Sequence, residues 1–185
     1  TTTRALLQSL QEQAQKLQPQ CDTLQAMHGC MTLDLGEAEA SLLESRMEAA
    51  LNSVRTLPGQ ISTTDGLAQR AIGKADSLST VLNGIRTELA AAMTVDEVNA
   101  IETSVTKARE GLEDIRRQAM TASEEAEQYQ QAMVTAALEM GSAEAEMTAH
   151  VTAITCSYAL RAEQLARLGR YPRLQHLDLS AASIE

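Results

Sequence analysis

The sequence has almost no aromatic residues, with three Tyr and neither Phe nor Trp among 185 residues. It also has no excess of basic charge, because 15 Lys and Arg stand against 25 Asp and Glu and the formal net charge is −10. Nucleic-acid binding requires a basic stripe, and anionic membrane surfaces attract basic segments, so both partners are disfavoured. No stretch approaches the roughly 20 apolar residues of a membrane span. We therefore expect membrane attachment only through an anchor outside this segment.

Motifs of catalysis and metal binding are missing as well. The sequence contains no HExxH, GxSxG, GxxxxGK[ST], GxGxxG or CxxC. Carboxylates are plentiful but are spread along helix surfaces, whereas paired acid–base catalysis needs a concave pocket that separates two pKa values. We therefore expect no enzyme, no cofactor and no metal site.

Apolar residues make up 44% of the chain and recur with alternating spacings of three and four, the period of a coiled-coil seam. The period predicts an all-α fold, an elongated bundle of long coiled-coil-like helices with three main helices, over 1–172, followed by a C-terminal tail at 173–185. Thr64 is the polar member of one seam. The seam positions are Leu7, Leu10, Ala14, Leu17, Cys21, Leu24, His28, Met31 and Leu35; Ala40, Leu43, Met47, Ala50, Val54 and Leu57; Ile61, Ala68, Ala71, Ala75, Leu78, Leu82, Ile85, Leu89 and Ala92; and Val98, Ile101, Val105, Ala108, Leu112, Ile115, Ala119, Ala122, Ala126, Tyr129, Met133, Ala136, Met140, Ala143, Met147, His150 and Ile154.

Helix boundaries are indicated at several points. Pro19 predicts a kink or restart, and Pro58-Gly59 predicts the end of a helix. The segment 93–98 reads as a capping box, with Thr94 as N-cap, Glu97 reaching back and Met93 stapled on Val98. After it, 95–168 is either one helix, or a second capping box at 121–124 makes a turn. The second alternative gives an up-down-up bundle of 3–57, 61–118 and 122–168.

Two of the three histidines, His28 and His150, occupy seam positions. The up-down-up arrangement places them in one layer, and an antiparallel pairing of the outer stretches does so too. We hypothesise a shared polar core layer that fixes register and responds to acid. The alternative is two separate half-buried imidazoles with ordinary hydrogen-bond partners.

The three cysteines are too few for a disulfide framework. Cys21 and Cys30 cannot bond within one unbroken helix, because nine residues separate their Cα atoms by about 13.5 Å and a disulfide tolerates under about 7 Å. Cys156 is then the necessary partner, with Cys30 if those helices are parallel or with Cys21 if they are antiparallel. The alternative is three reduced thiols packed as small apolar groups.

The Ala/Glu-rich heptads from Val98 to Ile154, the start Thr1-Thr2-Thr3, the sparse Cys and the missing Phe and Trp resemble a known family. The family is the helical surface-coat proteins of trypanosomes: variant surface glycoprotein N-terminal domains and the glutamic acid/alanine-rich protein. The resemblance implies a helical bundle on the extracellular face of the plasma membrane, held by a GPI-anchor and shielding the membrane beside itself or neighbouring coat molecules. It implies no catalytic residues.

A second function is kept open from the seams alone. Apolar heptad grooves also occur in intracellular coiled-coil scaffolds or adaptors, which bind partner helices or filaments. Such a protein would be cytoplasmic. Either function predicts a protein partner, and neither fixes the oligomeric state.

Overall fold

The computed structural model describes residues 2–155 and 168–178. Its helices are α1 (Thr2–His28), α2 (Glu37–Ala91) and α3 (Val95–His150). They confirm the predicted all-α class and the three main helices, which pack as a bundle. The short elements are β1 (Met31–Leu33), β2 (Val151–Thr155), a 3-10 turn (Leu168–Arg170) and β3 (His176–Asp178).

Helix α2 runs through Pro58-Gly59, so the predicted helix end is wrong. A proline inside a helix costs about 3 kcal/mol through its lost hydrogen bond and its clash with the preceding turn. Val54, Leu57 and Ile61 are nevertheless fully buried around it. Each such side chain contributes about 1.5–3 kcal/mol by burial, which together exceeds the cost of the proline. Pro19 lies inside the unbroken α1 in the same way, so no restart occurs there.

The predicted capping box at the start of α3 is confirmed. The Glu97 carboxylate accepts hydrogen bonds from the backbone N–H groups of Met93 and Thr94, at 2.9 Å each, and the Thr94 hydroxyl accepts one from the N–H of Glu97. The bonds from Met93 and Thr94 lower the pKa of Glu97. The predicted staple between Met93 and Val98 is wrong, because the Met93 side chain is 94% exposed.

Helix α3 is continuous from Val95 to His150, so of the two alternatives the single helix is found, and the turn at 121–124 with its up-down-up division is wrong. The helix also ends well before 168, since Val151–Thr155 form strand β2. Three of these five residues are threonine or valine and one is isoleucine, and β-branched side chains favour strands. The predicted helical seam at Ile154 is therefore wrong, although Ile154 is buried.

The chain divides into two compact units. The first contains Thr1–Gln11 and Gly59–Gln130, and the second contains Glu12–Pro58 and Gln131–Glu185. In the second unit all three helices contribute to one apolar cluster, the second-unit core. Its buried members are Cys21, Leu24, Leu43, Met47, Ala50, Leu51, Val54, Ala136, Met140, Ala143 and Met147.

The second unit also holds a small mixed sheet of order β1-β2-β3. Strand β1 pairs antiparallel with β2, with Met31 opposite Ile154, and β3 pairs parallel with β2, with Leu177 opposite Ile154. Strand β3 lies within the segment predicted as a tail. Residues 176–178 are thus part of the sheet and not of a tail, because the backbone of β2 has hydrogen-bonding groups on its second edge that β3 can pair with.

In the first unit the start of α1 packs on α2 and α3. Leu7 and Leu10 are buried, and the Arg4 guanidinium contacts the Asp65 carboxylate at 2.9 Å. Thr64 is the buried polar residue of the described core, as its position in the seam predicts. Its hydroxyl donates to Glu125 and lies 3.0 Å from the Tyr129 hydroxyl, which satisfies the buried oxygen.

Candidate functional site: an open heptad groove

Helix α1 covers the apolar faces of α2 and α3 over only part of the first unit. Residues Thr3 and Arg4, in the first turn of α1, line a cavity of about 170 Å³ together with Ala75 of α2 and Ala119 of α3. Beyond these positions α2 continues to Ala91 and α3 starts at Val95. We call residues 75–91 and 95–119 the two-helix hairpin.

The exposure of one α2 seam shows where the cover ends. Positions seven residues apart on a helix lie on one face when the heptad period is kept. Along this face Ile61 is 2% exposed and Ala68 is 8% exposed, while Ala75 is exposed. Leu82 and Leu89 then follow at 48% and 57%. The same apolar stripe is therefore core at one end and surface at the other.

The matching face of α3 behaves in the same way. Ala126 is fully buried, and Ala119, one heptad earlier, is exposed. Leu112, Val105 and Val98 continue the face towards the tip at 56%, 38% and 47% exposed. Two independent stripes thus lose their cover at the height where α1 begins. We call Leu82, Leu89, Val98, Val105 and Leu112 the open groove.

The other seam of the hairpin is closed. Ile85, Ile101 and Ala108 are buried together, with Leu78 and Ala92 packed against them, and they form the floor of the groove. The presence of a buried floor means that the groove belongs to a packed pair of helices. An additional helix would therefore meet a preformed surface.

On the side of the hairpin that faces away from the groove, an ion pair connects α2 with α3. The Lys74 ammonium contacts the Asp114 carboxylate at 2.6 Å, and the Arg117 guanidinium contacts it at 2.7 Å. These hydrogen bonds, that of Lys74 first, lower the pKa of Asp114 to about 2. Nearby, Gly111 leaves room for Leu78, whose Cδ1 lies 3.8 Å from where a Cβ would stand.

Charged residues form the rim of the groove. Each lies four residues after a groove residue, which is the adjacent outward position on the helix. The α2 rim has Arg86, and the α3 rim has Glu102, Arg109 and Arg116. All four are exposed, and none forms an ion pair with another residue of the described part of the chain. The rim is therefore net positive, although the whole chain carries −10.

The histidines of the hypothesised core layer lie at helix ends. His28 is the last residue of α1 and His150 the last of α3, and both are half-buried. The His150 Nδ1 atom lies 3.2 Å from the backbone oxygen of Asp34. This is an ordinary hydrogen-bond partner of the kind the alternative expects. Among the hydrogen bonds between described residues there is none from one imidazole to the other.

The cysteine predictions can be followed only in part, because Cys156 lies outside the described residues. Cys21 is in the second-unit core, where burial raises the pKa of its thiol and the neighbouring Asp22 adds to the effect. Cys30 is half-buried beside the sheet, and its backbone oxygen accepts a hydrogen bond from Thr155. The pairings of Cys156 with Cys30 or with Cys21 stay predictions.

The sequence predicted the groove residues as seam positions but did not indicate that their cover is missing. The signal that bears on it is length: the α2 and α3 seams extend further than the α1 seam does. The rim residues carried no signal of their own, since charged positions on heptad flanks are usual.

The fold and the groove together define an all-α helical bundle with one open seam. Comparison with known proteins found no matching family model, no matching curated protein and no matching solved structure. Within residues 2–155 and 168–178, no three His, Cys, Asp or Glu side chains are grouped to hold a metal ion. The helices described there are also not apolar enough over sufficient length to cross a membrane.

Proposed function

We propose that this chain is a non-enzymatic helical-bundle protein that acts by packing another helix into the open groove. One observation carries the proposal: five apolar side chains in heptad register are between 38% and 57% exposed above a buried floor. Apolar anchors at this spacing are the pattern by which helix-in-groove recognition works. An exposed patch of this regularity is rare on a surface that has no partner.

The size of the effect supports a binding role. Full burial of a Leu or Val side chain contributes about 1.5–3 kcal/mol, so burial of the exposed half of each contributes on the order of 1 kcal/mol. The five groove residues then contribute about 5 kcal/mol before the costs of association. A helix that also pairs with the basic rim gains specificity more than affinity.

A designed helix tests this function. The probe is a labelled peptide of three heptads with Leu at the seam positions and Glu on the flanks, and its binding is followed by fluorescence anisotropy. We expect saturable binding to the wild-type chain and at least about tenfold weaker binding to Leu82→Glu. The matched control is Leu138→Glu, because Leu138 is 69% exposed on the surface of α3 outside the groove. Equal binding by all three proteins would remove the proposal.

We further propose the setting that the family resemblance implies: a coat protein on the extracellular face of the plasma membrane of a parasite, anchored outside this segment. Its support is the Ala/Glu-rich heptad sequence and a net charge of −10, which limits nonspecific association of crowded molecules. An antibody against the chain would label intact cells. Labelling only after permeabilisation would favour the second candidate, an intracellular scaffold that binds helices or filaments, which the open groove also suits.

A further inference from the structure

We infer that the helix pair which fills the open groove comes from a second copy of this chain, packed antiparallel so that two hairpins form a four-helix bundle. The inference rests on the proposed function, that the groove binds a helix, and specifies the occupant. Three features of the first unit carry it: the length of the groove, the positions of its apolar residues and the order of charges on its rim.

The length of the groove selects the antiparallel direction. The two-helix hairpin is about 25 Å long from Ala75 to the tip, at 1.5 Å per residue. The first turn of α1 closes the groove at Ala75. A second hairpin of equal length fills this space when its tip points towards that turn. In a parallel pairing, the first turns of both α1 helices would compete for a space one helix deep.

Contacts within the hairpin give the height of each groove residue. Lys74 contacts Asp114, and Leu78 lies beside Gly111. Moving one turn further towards the tip on both helices brings Leu82 and Val105 to about the same height, near the middle of the groove. A two-fold axis through this height places each of these two residues against its own counterpart. Such self-contact at the axis is the mark of a closed dimer.

The same axis matches the remaining apolar residues. Val98 comes opposite Leu112 of the second copy, and Leu89 comes opposite its Ala75. A large side chain facing a small one allows the layers to interdigitate. At the tip, Met93 comes beside Ile72 of the second copy, which is 42% exposed next to the start of α1. Every groove residue therefore has an apolar neighbour.

The rim charges are complementary under this axis. Glu102 and Arg109 lie three residues before and four residues after Val105, so each Glu102 faces Arg109 of the second copy, and the pair occurs twice. Arg116 comes opposite Val95, and Arg86 comes opposite Ser79, so no like charges meet. Opposite charges across a helix interface fix orientation and register. A parallel pairing would also bring opposite charges together, Arg86 against Glu102, so the charges favour a second copy as the occupant and the length of the groove selects the direction.

The area indicates a weak dimer. Two helices side by side, each about 10 Å wide and about 25 Å long, give a footprint on the order of 500 Å² per copy. Standard specific interfaces bury about 800 Å² per partner, and transient ones lie below this. We therefore expect a monomer–dimer equilibrium with a dissociation constant in the micromolar range.

Sedimentation equilibrium of the whole chain over micromolar concentrations tests the association. Wild type and Leu138→Glu are expected to dimerise alike, and Leu82→Glu is expected to stay monomeric while circular dichroism shows unchanged helix content. Glu102→Arg and Arg109→Glu each create two like-charge contacts and weaken the dimer at least about tenfold. The doubly reversed variant restores it to within about threefold of wild type. Because these two residues are seven apart on one helix, restoration requires contact between copies.

A cross-link tests the direction. Val105→Cys under mild oxidation is expected to give a disulfide-linked dimer in which mass spectrometry finds residue 105 joined to residue 105, and Leu138→Cys is expected to give none. A dimer that forms no such link, or that is not restored by the double reversal, overturns the antiparallel arrangement. A chain that stays monomeric but binds the designed peptide overturns the inference and leaves the proposed function standing. A chain that does neither overturns both.

Discussion

The second-unit core and the two-helix hairpin are made from the same heptad pattern but bury it differently. In the second-unit core both seam positions of each α3 heptad are buried, as at Ala136, Met140, Ala143 and Met147. In the hairpin only alternate seam positions are buried, as at Ile101 and Ala108. A third helix, α1, contributes to the second-unit core, whereas α1 does not extend over the two-helix hairpin. The heptad thus sets where apolar residues point, and the number of helices sets whether they are covered.

The largest expected difference between the two regions is in the effect of removing one leucine. Leu43→Ala leaves a cavity in the second-unit core and is expected to lower the free energy of unfolding by about 2–5 kcal/mol. Leu89→Ala, in the open groove, removes a half-exposed side chain and is expected to cost less than about 1 kcal/mol. Urea unfolding followed by circular dichroism measures both, at concentrations below the dimer range. Equal losses would mean that the groove is already covered in the monomer.

A smaller effect is expected from the polar layer of the first unit, where α1 still covers the seam. Thr64→Val keeps the shape of the side chain but removes its hydrogen bonds with Glu125 and Tyr129. We expect the free energy of unfolding to fall by about 1–2 kcal/mol, because partly buried oxygens lose a partner. Thr63→Val is the matched control, since Thr63 is exposed and its hydroxyl donates to the backbone oxygen of Gly59 in its own helix. If Thr64→Val were instead more stable than wild type, the polar layer would fix the register of the helices and would not stabilise the fold.

A substitution in the turn at the tip of the hairpin is expected to change stability mainly in the hairpin itself. Thr94→Ala removes the hydroxyl that caps α3 and is expected to cost about 1 kcal/mol. Because the tip has no third helix, hydrogen exchange is expected to speed up in the hairpin, whereas amides in the second-unit core keep their rates. Equal acceleration in both regions would show that they open as one cooperative unit.

The smallest expected effect concerns the charged tie across the hairpin. The pKa of Asp114 lies at about 2, below its ordinary value of 3.8, so its folded state binds protons less readily. The stabilisation is therefore fully present above the ordinary value and is lost as the pH falls to about 2. Asp114→Asn is expected to unfold more easily at neutral pH and to match wild type near the acid end. If the free energies of unfolding of Asp114→Asn and wild type differed by the same amount at every pH in this range, the pKa shift of Asp114 would not contribute to stability.

The sequence predicted much of the helix content for a simple reason: the heptad period and the capping box are local patterns. Thr94 and Glu97 lie within one turn, so their hydrogen bonds depend on no distant contact. The helix end predicted at Pro58 was wrong because the sequence rule for proline gives its cost in a helix but does not include the burial of Val54 and Leu57 beside it. The helical position predicted for Ile154 was wrong because the spacing of one apolar residue at the end of a seam fits a helix and a strand equally well.

The candidate site was half predictable. The groove residues were identified as apolar and in register, and the rim charges are plain in the sequence, but burial depends on what lies opposite. Where α1 begins relative to α2 and α3 follows from Arg4 meeting Asp65 and from Thr3 lining one cavity with Ala75. These residues are more than sixty positions apart, and no local pattern relates them.

The sequence by itself determined that this chain forms long helices with continuous apolar seams and an acidic surface, because period and charge are properties of consecutive residues. The tertiary structure alone decided that α2 runs through Pro58, that 151–155 pairs with 31–33, and that one seam of the hairpin stays open. The physical reason is that burial is a property of two surfaces. An apolar stripe becomes core or binding site according to whether another helix reaches it.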